Sequence, residues 1–119
     1  MLKVHTRKLD DVTILCLQGQ LVTGETSGLR EAVVLQSEVS TVVLDFSRVS
    51  RIDAAGLGVL LELRRHMLSK HIEFRLMNVT KLVRKVLEIT CLDSVFEFWS
   101  AENLAAVPGR AALQVAPCA

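Results

Sequence analysis

The sequence is poor in aromatic residues: among its 119 residues it has no Tyr, one Trp and four Phe. A surface that stacks on single-stranded nucleic acid needs several exposed aromatic side chains, so this class of ligand is disfavoured. The charge balance also lacks a strong sign, because the formal net charge is only +1 at pH 7. A domain-wide field that binds phosphate groups needs a clear excess of Lys and Arg. Nucleic acid is therefore not an expected partner.

Cysteine is scarce and forms no metal-binding pattern. Cys16, Cys91 and Cys118 lie far apart and make no CxxC pair. The three His residues have no ligand spacing with a Cys or an acidic pair, so we expect neither a metal nor another cofactor. The sequence also lacks a secretory signal and any apolar run near the roughly 18 residues of a membrane span. These absences predict a cytoplasmic protein that does not insert into the membrane.

Aliphatic periodicity is what the sequence has in abundance, since hydrophobic residues make up 50% of it. Two strand patterns flank Asp10-Asp11 and predict a hairpin, and the later alternation of strands and helices predicts a largely parallel sheet. The fold class is therefore α/β, with a mixed β-sheet packed against about four helices. We expect one domain over residues 1–106 and a mobile tail over residues 107–119. The strands are predicted at Leu2–Leu9, Val12–Gln20, Thr41–Phe46, His71–Met77 and Val95–Phe98, and the helices from Thr23 or Thr26 to Ser37 and at Ala54–Lys70, Thr80–Thr90 and Trp99–Ala106.

The helix that begins at Ala54 has an unusual first turn, Ala54-Ala55-Gly56-Leu57-Gly58. Asp53 is its expected N-cap, because its carboxylate can accept hydrogen bonds from the first N–H groups. A Gly inside a helix costs about 0.5–1 kcal/mol relative to Ala, so two of them need a reason. One interpretation is close packing on a neighbouring element; the other is a bare surface that docks another protein's backbone or an anion. The apolar stripe predicted for this helix is Leu57, Leu60, Leu61, Leu63, Met67 and Leu68.

Enzymatic sites find little support in the sequence. Gly56 and Gly58 do not complete a dinucleotide-binding fingerprint, because the third glycine position is Leu61, and no phosphate-binding P-loop is present. No nucleophile has a general base close to it in the sequence. We therefore expect a protein that is not an enzyme.

The segment from Val42 to Leu63, "VVLDFSRVSRIDAAGLGVLLEL", resembles the core motif of the STAS domain family. This family includes bacterial anti-sigma factor antagonists and the cytosolic domains of sulfate transporters. Its pattern is a hydrophobic strand ending in Leu-Asp-Phe/Leu-Ser, a loop, and Asp-Ser-Ser/Thr-Gly-Leu-Gly-Val-Leu at a helix start. "LQGQLV" at Leu17–Val22 is similar to the family's Gly-Glu-Leu-Asp turn, and "CLDSVFEFWSAENLAA" to its usual ending.

Two departures from the family pattern bear on regulation. The Ser that is phosphorylated in the antagonists corresponds to Ala55, whose methyl group cannot accept a phosphate. The Asp of the Gly-Glu-Leu-Asp turn corresponds to Val22, and Gln20 replaces the Glu. The resemblance thus implies a docking surface that has lost its usual phosphorylation site.

The resemblance implies a protein-interaction module of the antagonist type, which takes part in bacterial partner switching by binding an anti-sigma factor that is a serine kinase of the GHKL type. Alternatives left open are a STAS-type ligand-binding module, with Arg48 and Arg51 near an anion, and a soluble STAS subunit of a membrane transport complex. A homodimer or a larger regulatory assembly is also compatible with the sequence. Val59 is expected to point away from the apolar stripe as an exposed anchor. The expected partner-binding residues are Val22, Thr23, Ser50, Asp53, Ala54, Ala55, Gly56 and Val59.

Overall fold

The computed structural model describes residues 2–100 of the chain. Its five strands form one sheet in the order β1-β2-β3-β4-β5, so neighbours in the chain are neighbours in the sheet. The expected α/β class with a mixed sheet is confirmed. The elements are β1 (Lys3–Leu9), β2 (Val12–Leu21), α1 (Ser27–Val34), β3 (Thr41–Ile52), α2 (Ala54–Ser69), β4 (Glu73–Met77), α3 (Lys81–Ile89) and β5 (Glu97–Trp99).

The predicted hairpin is present at the first edge of the sheet. β1 and β2 pair antiparallel from Lys3 opposite Gln18 to Leu9 opposite Val12, and Asp10 turns the chain with a φ of 58°. Asp tolerates this left-handed conformation better than most residues, which explains why an acidic turn can replace one with glycine. All later strand pairs are parallel, as the alternation of strands and helices predicts.

The main core lies between the sheet and the three described helices. Strand residues such as Leu15, Leu44 and Phe46 pack there against residues of all three helices. A right-handed crossover between sequential parallel strands places each helix on the same face of the sheet, which accounts for this single layer. The opposite face carries a smaller cluster, against which Trp99 packs, made of Leu9, Val12, Ile14, Cys16, Val43 and Met77.

The structure corrects several predicted boundaries. β3 continues to Ile52 instead of ending at Phe46, so residues 47–52, which lie between the predicted strand and the predicted helix, also form a strand. Trp99 belongs to β5 and not to a fourth helix, and the rest of that predicted helix, residues 101–106, lies outside the described residues, as does the tail at 107–119. The described part therefore contains three helices rather than about four.

The first helix is shorter than expected, because it ends at Val34 rather than near Ser37. Thr26 occupies its N-cap position, but the Thr26 side chain makes no capping hydrogen bond. The other candidate cap, Thr23, turns its side chain to Asp53 instead. A tertiary contact has therefore taken the hydroxyl that local reasoning assigned to a helix cap.

Candidate protein-docking site

The start of α2 is placed by the ends of β2 and β3. β3 remains paired with β2 as far as Ile52 opposite Leu21, and the next N–H, that of Asp53, donates to the Leu21 carbonyl at 3.3 Å. The chain then enters α2 without an intervening loop. The first turn of α2 therefore has a fixed position at the carboxyl end of the sheet.

Asp53 joins this turn to the segment that follows β2. Its Oδ1 accepts a hydrogen bond from the N–H of Gly56 at 3.0 Å, as expected for an N-cap. Its Oδ2 accepts one from the Thr23 N–H at 3.0 Å and another from the Thr23 hydroxyl at 3.1 Å. The Thr23 and Gly56 N–H groups, in that order, lower the pKa of the Asp53 carboxyl below its ordinary value. Asp53 is thus an ionised clamp between two segments.

The turn that brings Thr23 to Asp53 depends on Gly24. The Glu25 N–H donates to the Val22 carbonyl at 2.9 Å, and Gly24 has a φ of 86°. A four-residue turn of this kind needs a positive φ at its third residue, which Gly supplies without steric cost. The Thr-Gly pair was the signal in the sequence that could have revealed this turn, but it gives no indication that the turn is bound to Asp53.

The two glycines of α2 have different reasons to be there. A Cβ at Gly56 would overlap the backbone oxygen of Leu21 and would lie 2.9 Å from Cγ1 of Ile52. Close packing is therefore the right interpretation for Gly56. A Cβ at Gly58 would meet nothing within 4 Å, and the residue is exposed. The described part of the chain gives no packing reason for Gly58.

The exposed side of this first turn is made of small residues. Ala54 and Gly58 are exposed and Ala55 is half-buried. Ala55 and Gly58 are three residues apart and are therefore neighbours on the helix surface. A partner's backbone could approach this part of α2 more closely than it could approach a helix with long side chains.

The expectation that Val59 is an exposed anchor is wrong, because Val59 is only 4% exposed and belongs to the main core. Glu62 and Lys70 share its side of α2, and both are bound to α1: Arg30 pairs with Glu62 at 2.6 Å, and Lys70 donates to the Val34 carbonyl at 3.2 Å. α1 therefore lies along this flank and covers Val59. The helical wheel could not show the position of α1.

The apolar stripe of α2 is otherwise close to the prediction, except that Leu68 is 52% exposed. Its buried residues are Gly56, Leu57, Val59, Leu60, Leu63 and Met67.

The remaining predicted residues lie around the Asp53 clamp. Val22 is half-buried, just before the Thr23 turn. Ser50 is exposed on β3 and donates its hydroxyl to the Gly19 carbonyl at 3.2 Å. We call the set Val22, Thr23, Ser50, Ala54, Ala55 and Gly58 the docking surface.

Other kinds of site find no support in the described residues. Among residues 2–100 there is no group of three His, Cys, Asp or Glu side chains that could hold a metal ion. Two of the N-terminal N–H groups of α2 that an anion would use, those of Ala55 and Gly56, already interact with the Asp53 carboxylate. No helix in the same part of the chain is long and apolar enough to cross a bilayer.

Comparison with known proteins gives a consistent result. The chain is 30% identical over 114 residues to BtrV of Bordetella bronchiseptica, a protein described as an anti-sigma factor antagonist; this match covers 94% of the chain and 98% of BtrV. Among solved structures, one described as an anti-sigma factor antagonist of Thermotoga maritima has a TM-score of 0.73 at 26% identity, covering 80% of this chain and 84% of that one. The anti-sigma factor antagonist SpoIIAA in its unphosphorylated form has a TM-score of 0.70 at 22% identity, covering 86% and 92%.

The model of the STAS domain matches residues 3–105. This range includes every described strand and helix and the whole of the docking surface. The chain therefore belongs to the STAS domain family.

Proposed function

We propose that this chain is a protein-interaction module of the anti-sigma factor antagonist type, which takes part in partner switching in the bacterial cytoplasm. Its partner is an anti-sigma factor that is a serine kinase of the GHKL type. The family match and the antagonists that resemble the chain support this proposal. Such antagonists act by binding and not by catalysis, so we assign no catalytic residue and no cofactor.

The observation that carries the site assignment is the open position of Gly58. This Gly costs helix stability, and the described chain gains no packing in return. A partner that approaches the helix closely would supply the missing reason. Ala54 and Ala55 are also small, so the surface without long side chains continues from Gly58 toward the Thr23 turn.

Ala55 determines how the module would be regulated. As the second residue of α2 it lies at the helix position that corresponds to the phosphorylated Ser of the antagonists. Its methyl group cannot be phosphorylated, so the chain stays in the form that binds. We propose that it acts as a constitutive antagonist or as a subunit of a larger assembly that does not switch at this position.

The test of this site is to place a charge at Ala55. A negative charge in the first turn favours the helix dipole by about 0.3–1 kcal/mol, so Ala55→Glu should fold normally. At an interface the same charge must lose its hydration without gaining a partner, which typically costs about 2–5 kcal/mol. The partner is first isolated by affinity capture with the wild-type chain and then identified. We expect Ala55→Glu to weaken binding to this captured kinase at least tenfold, and Ala55→Ser to bind almost as well as the wild type.

The matched control is Leu82→Glu. Leu82 is also the second residue of a capped helix and is 55% exposed, but it lies on α3. The control should bind the kinase as the wild type does, with circular dichroism confirming that all variants fold. If Ala55→Glu binds as tightly as Leu82→Glu, the docking surface is not used.

The alternative functions are separated by the identity of the captured protein. A kinase supports the proposal, whereas a transporter ATPase would indicate a STAS subunit of a transport complex. A ligand-binding module has weaker support, because the carboxylate of Asp53 occupies the helix N-terminus. An open apolar groove does exist, but it lies at the C-terminal end of α1. It is lined by Arg30, Glu31, Val34 and Leu35.

A further inference from the structure

The second half of β3 is an edge strand, although its first half is central. From Thr41 to Asp45 it pairs with β2 on one side and with β4 on the other. β4 ends at Met77, opposite Asp45, whereas β2 continues beside β3 as far as Leu21 opposite Ile52. Within residues 2–100, therefore, no strand pairs with residues 48–52 on the side of β4, and the N–H of Ser47, just before them, donates to Oδ1 of Asp45 at 2.9 Å. Unpaired N–H and C=O groups along such an edge can pair with another chain.

The side chains along this edge differ in burial, and a bulge in the strand accounts for part of the difference. Val49 is 3% exposed and belongs to the core under the helices. Arg48, Ser50 and Arg51 are exposed. The register shifts between Gly19 and Gln20, because Gly19 is opposite Val49 and Gln20 is opposite Arg51, so Ser50 is the extra residue of a bulge. A bulge re-aims side chains, and here Ser50 and the residue after it are both exposed.

The edge is basic and has no acidic neighbour bound to it. Arg48 and Arg51 form no ion pair with any residue of the described part of the chain. Lys3 lies in the same row across the sheet as Arg48, because Lys3 is opposite Gln18 and Gln18 is opposite Arg48. The nearby carboxylate of Asp53 is already engaged with Thr23 and Gly56. A partner with carboxylates would complement this row.

We propose that the free edge of β3, residues 48–52, binds an extended acidic segment of the partner protein by strand addition. The edge leads directly into α2, so the same partner can contact both it and the docking surface; that a partner kinase is the source of the segment rests on the proposed function. Five strand residues span about 17 Å, enough for a short peptide strand. A second copy of the chain would place arginine against arginine. Nucleic acid could use the charges, but it has no peptide backbone with which to continue the ladder of the sheet.

The test uses a fluorescein-labelled peptide of four Glu-Thr repeats as the probe, with a peptide of four Lys-Thr repeats for comparison. We expect the wild-type chain at low salt to bind the acidic peptide more tightly than the basic one. The double variant Arg48→Glu/Arg51→Glu should bind it at least tenfold more weakly. The matched control is Arg65→Glu/Lys85→Glu, which reverses two exposed charges on the helices and should bind as the wild type does. Hydrogen exchange should show that the acidic peptide slows exchange of the amides at residues 48–51.

Each other outcome overturns the proposal. If the control double variant loses as much affinity as the edge variant, the binding is a nonspecific charge effect. If exchange at residues 48–51 is unchanged, the peptide does not add a strand, and if a single-stranded oligonucleotide binds more tightly than the acidic peptide, the edge is an anion surface. The kinase-binding assay with Ala55→Glu does not use the peptide. Failure of strand addition would therefore leave the proposed function standing. Failure of the kinase-binding assay would likewise leave the result with the peptide unaffected.

Discussion

α2 and α3 begin in the same way but serve different purposes. Each has a side-chain N-cap that accepts a hydrogen bond from the third helical residue: Asp53 from Gly56 and Thr80 from Val83. At that third position α3 buries Val83 completely, whereas α2 has only the hydrogen of Gly56. α3 therefore anchors itself with a side chain, and α2 with direct contact between backbone and backbone.

The second helical residue shows the same contrast on the outside. α3 presents the large Leu82 to solvent, whereas α2 presents the methyl group of Ala55. The two helices have equivalent caps but differ in the size of the side chains in the first turn. α3 has large side chains on both its buried and its exposed side, whereas α2 has small residues on both. Substitutions at the two helix starts can show whether this difference is structural, functional or both.

The largest effect is expected from Gly56→Ala. The added Cβ would overlap the Leu21 carbonyl, which belongs to the sheet and cannot move cheaply. Overpacking of this kind typically costs about 1–3 kcal/mol, so we expect a lower free energy of unfolding by about that amount. Urea denaturation of the variant and the wild type measures it. An unchanged midpoint would mean that α2 does not need its close contact with β2.

A comparison of the two caps should show a difference in acid sensitivity. The pKa of Asp53 is lowered in the folded chain, so its stabilising contribution is present above the unfolded pKa. This contribution is lost as the pH falls below about 4 and through the folded pKa. Asp53→Asn keeps a good capping residue but does not titrate.

The measurement is the free energy of unfolding from pH 6 to pH 3. We expect it to fall less steeply with acidification in Asp53→Asn than in the wild type. Thr80→Asn exchanges one neutral cap for another on α3 and should keep the wild-type slope. Equal slopes for all three proteins would contradict an ionised clamp at Asp53.

A smaller effect, with the opposite sign, is expected at Gly58. Gly58→Ala should raise the free energy of unfolding by about 0.5–1 kcal/mol, because the position is helical and open. The same methyl group lies on the docking surface and should weaken binding of the captured kinase. A variant that is more stable but binds less well would separate the two roles directly. If binding is unchanged, Gly58 is not part of the interface.

The smallest effect is expected from deletion of residues 107–119. The family match ends at residue 105, which supports a domain that folds without this segment. The thermal midpoint of the shortened chain should agree closely with that of the full chain. A midpoint lowered by about 4–8 °C would correspond to a loss of roughly 1 kcal/mol and would show that the segment contributes to the fold.

The sequence predicted best the features that depend on neighbours along the chain. The hairpin at Asp10, the cap at Asp53 and the length of α2 all follow from local patterns, and all are confirmed. The second half of β3 is not recognisable as a strand from the sequence, because polar residues on an edge strand resemble a loop when the neighbouring strands are unknown. The polar residues of this segment indicate that it is exposed to solvent, but they do not indicate that it pairs with β2.

The candidate site could be predicted only in part from the sequence, because some of its features depend on contacts between distant residues. The position of Ala55 follows from the sequence motif, but the burial of Val59 depends on where α1 crosses α2. The bond between Thr23 and Asp53 joins residues 30 positions apart, and no periodicity reports it. Long-range contacts of this kind need the three-dimensional fold.

The clamp between Thr23 and Asp53 also links recognition to folding. It joins residues 30 positions apart that lie together where β2 and β3 are paired, so an unfolded chain has no such surface to offer. A partner that recognises this surface therefore binds the folded chain alone. By mass action, free partner at 100 times its dissociation constant adds about 2.7 kcal/mol to the stability of the folded chain. In a cell that holds enough of its partner, this chain would be protected from degradation for as long as it is bound.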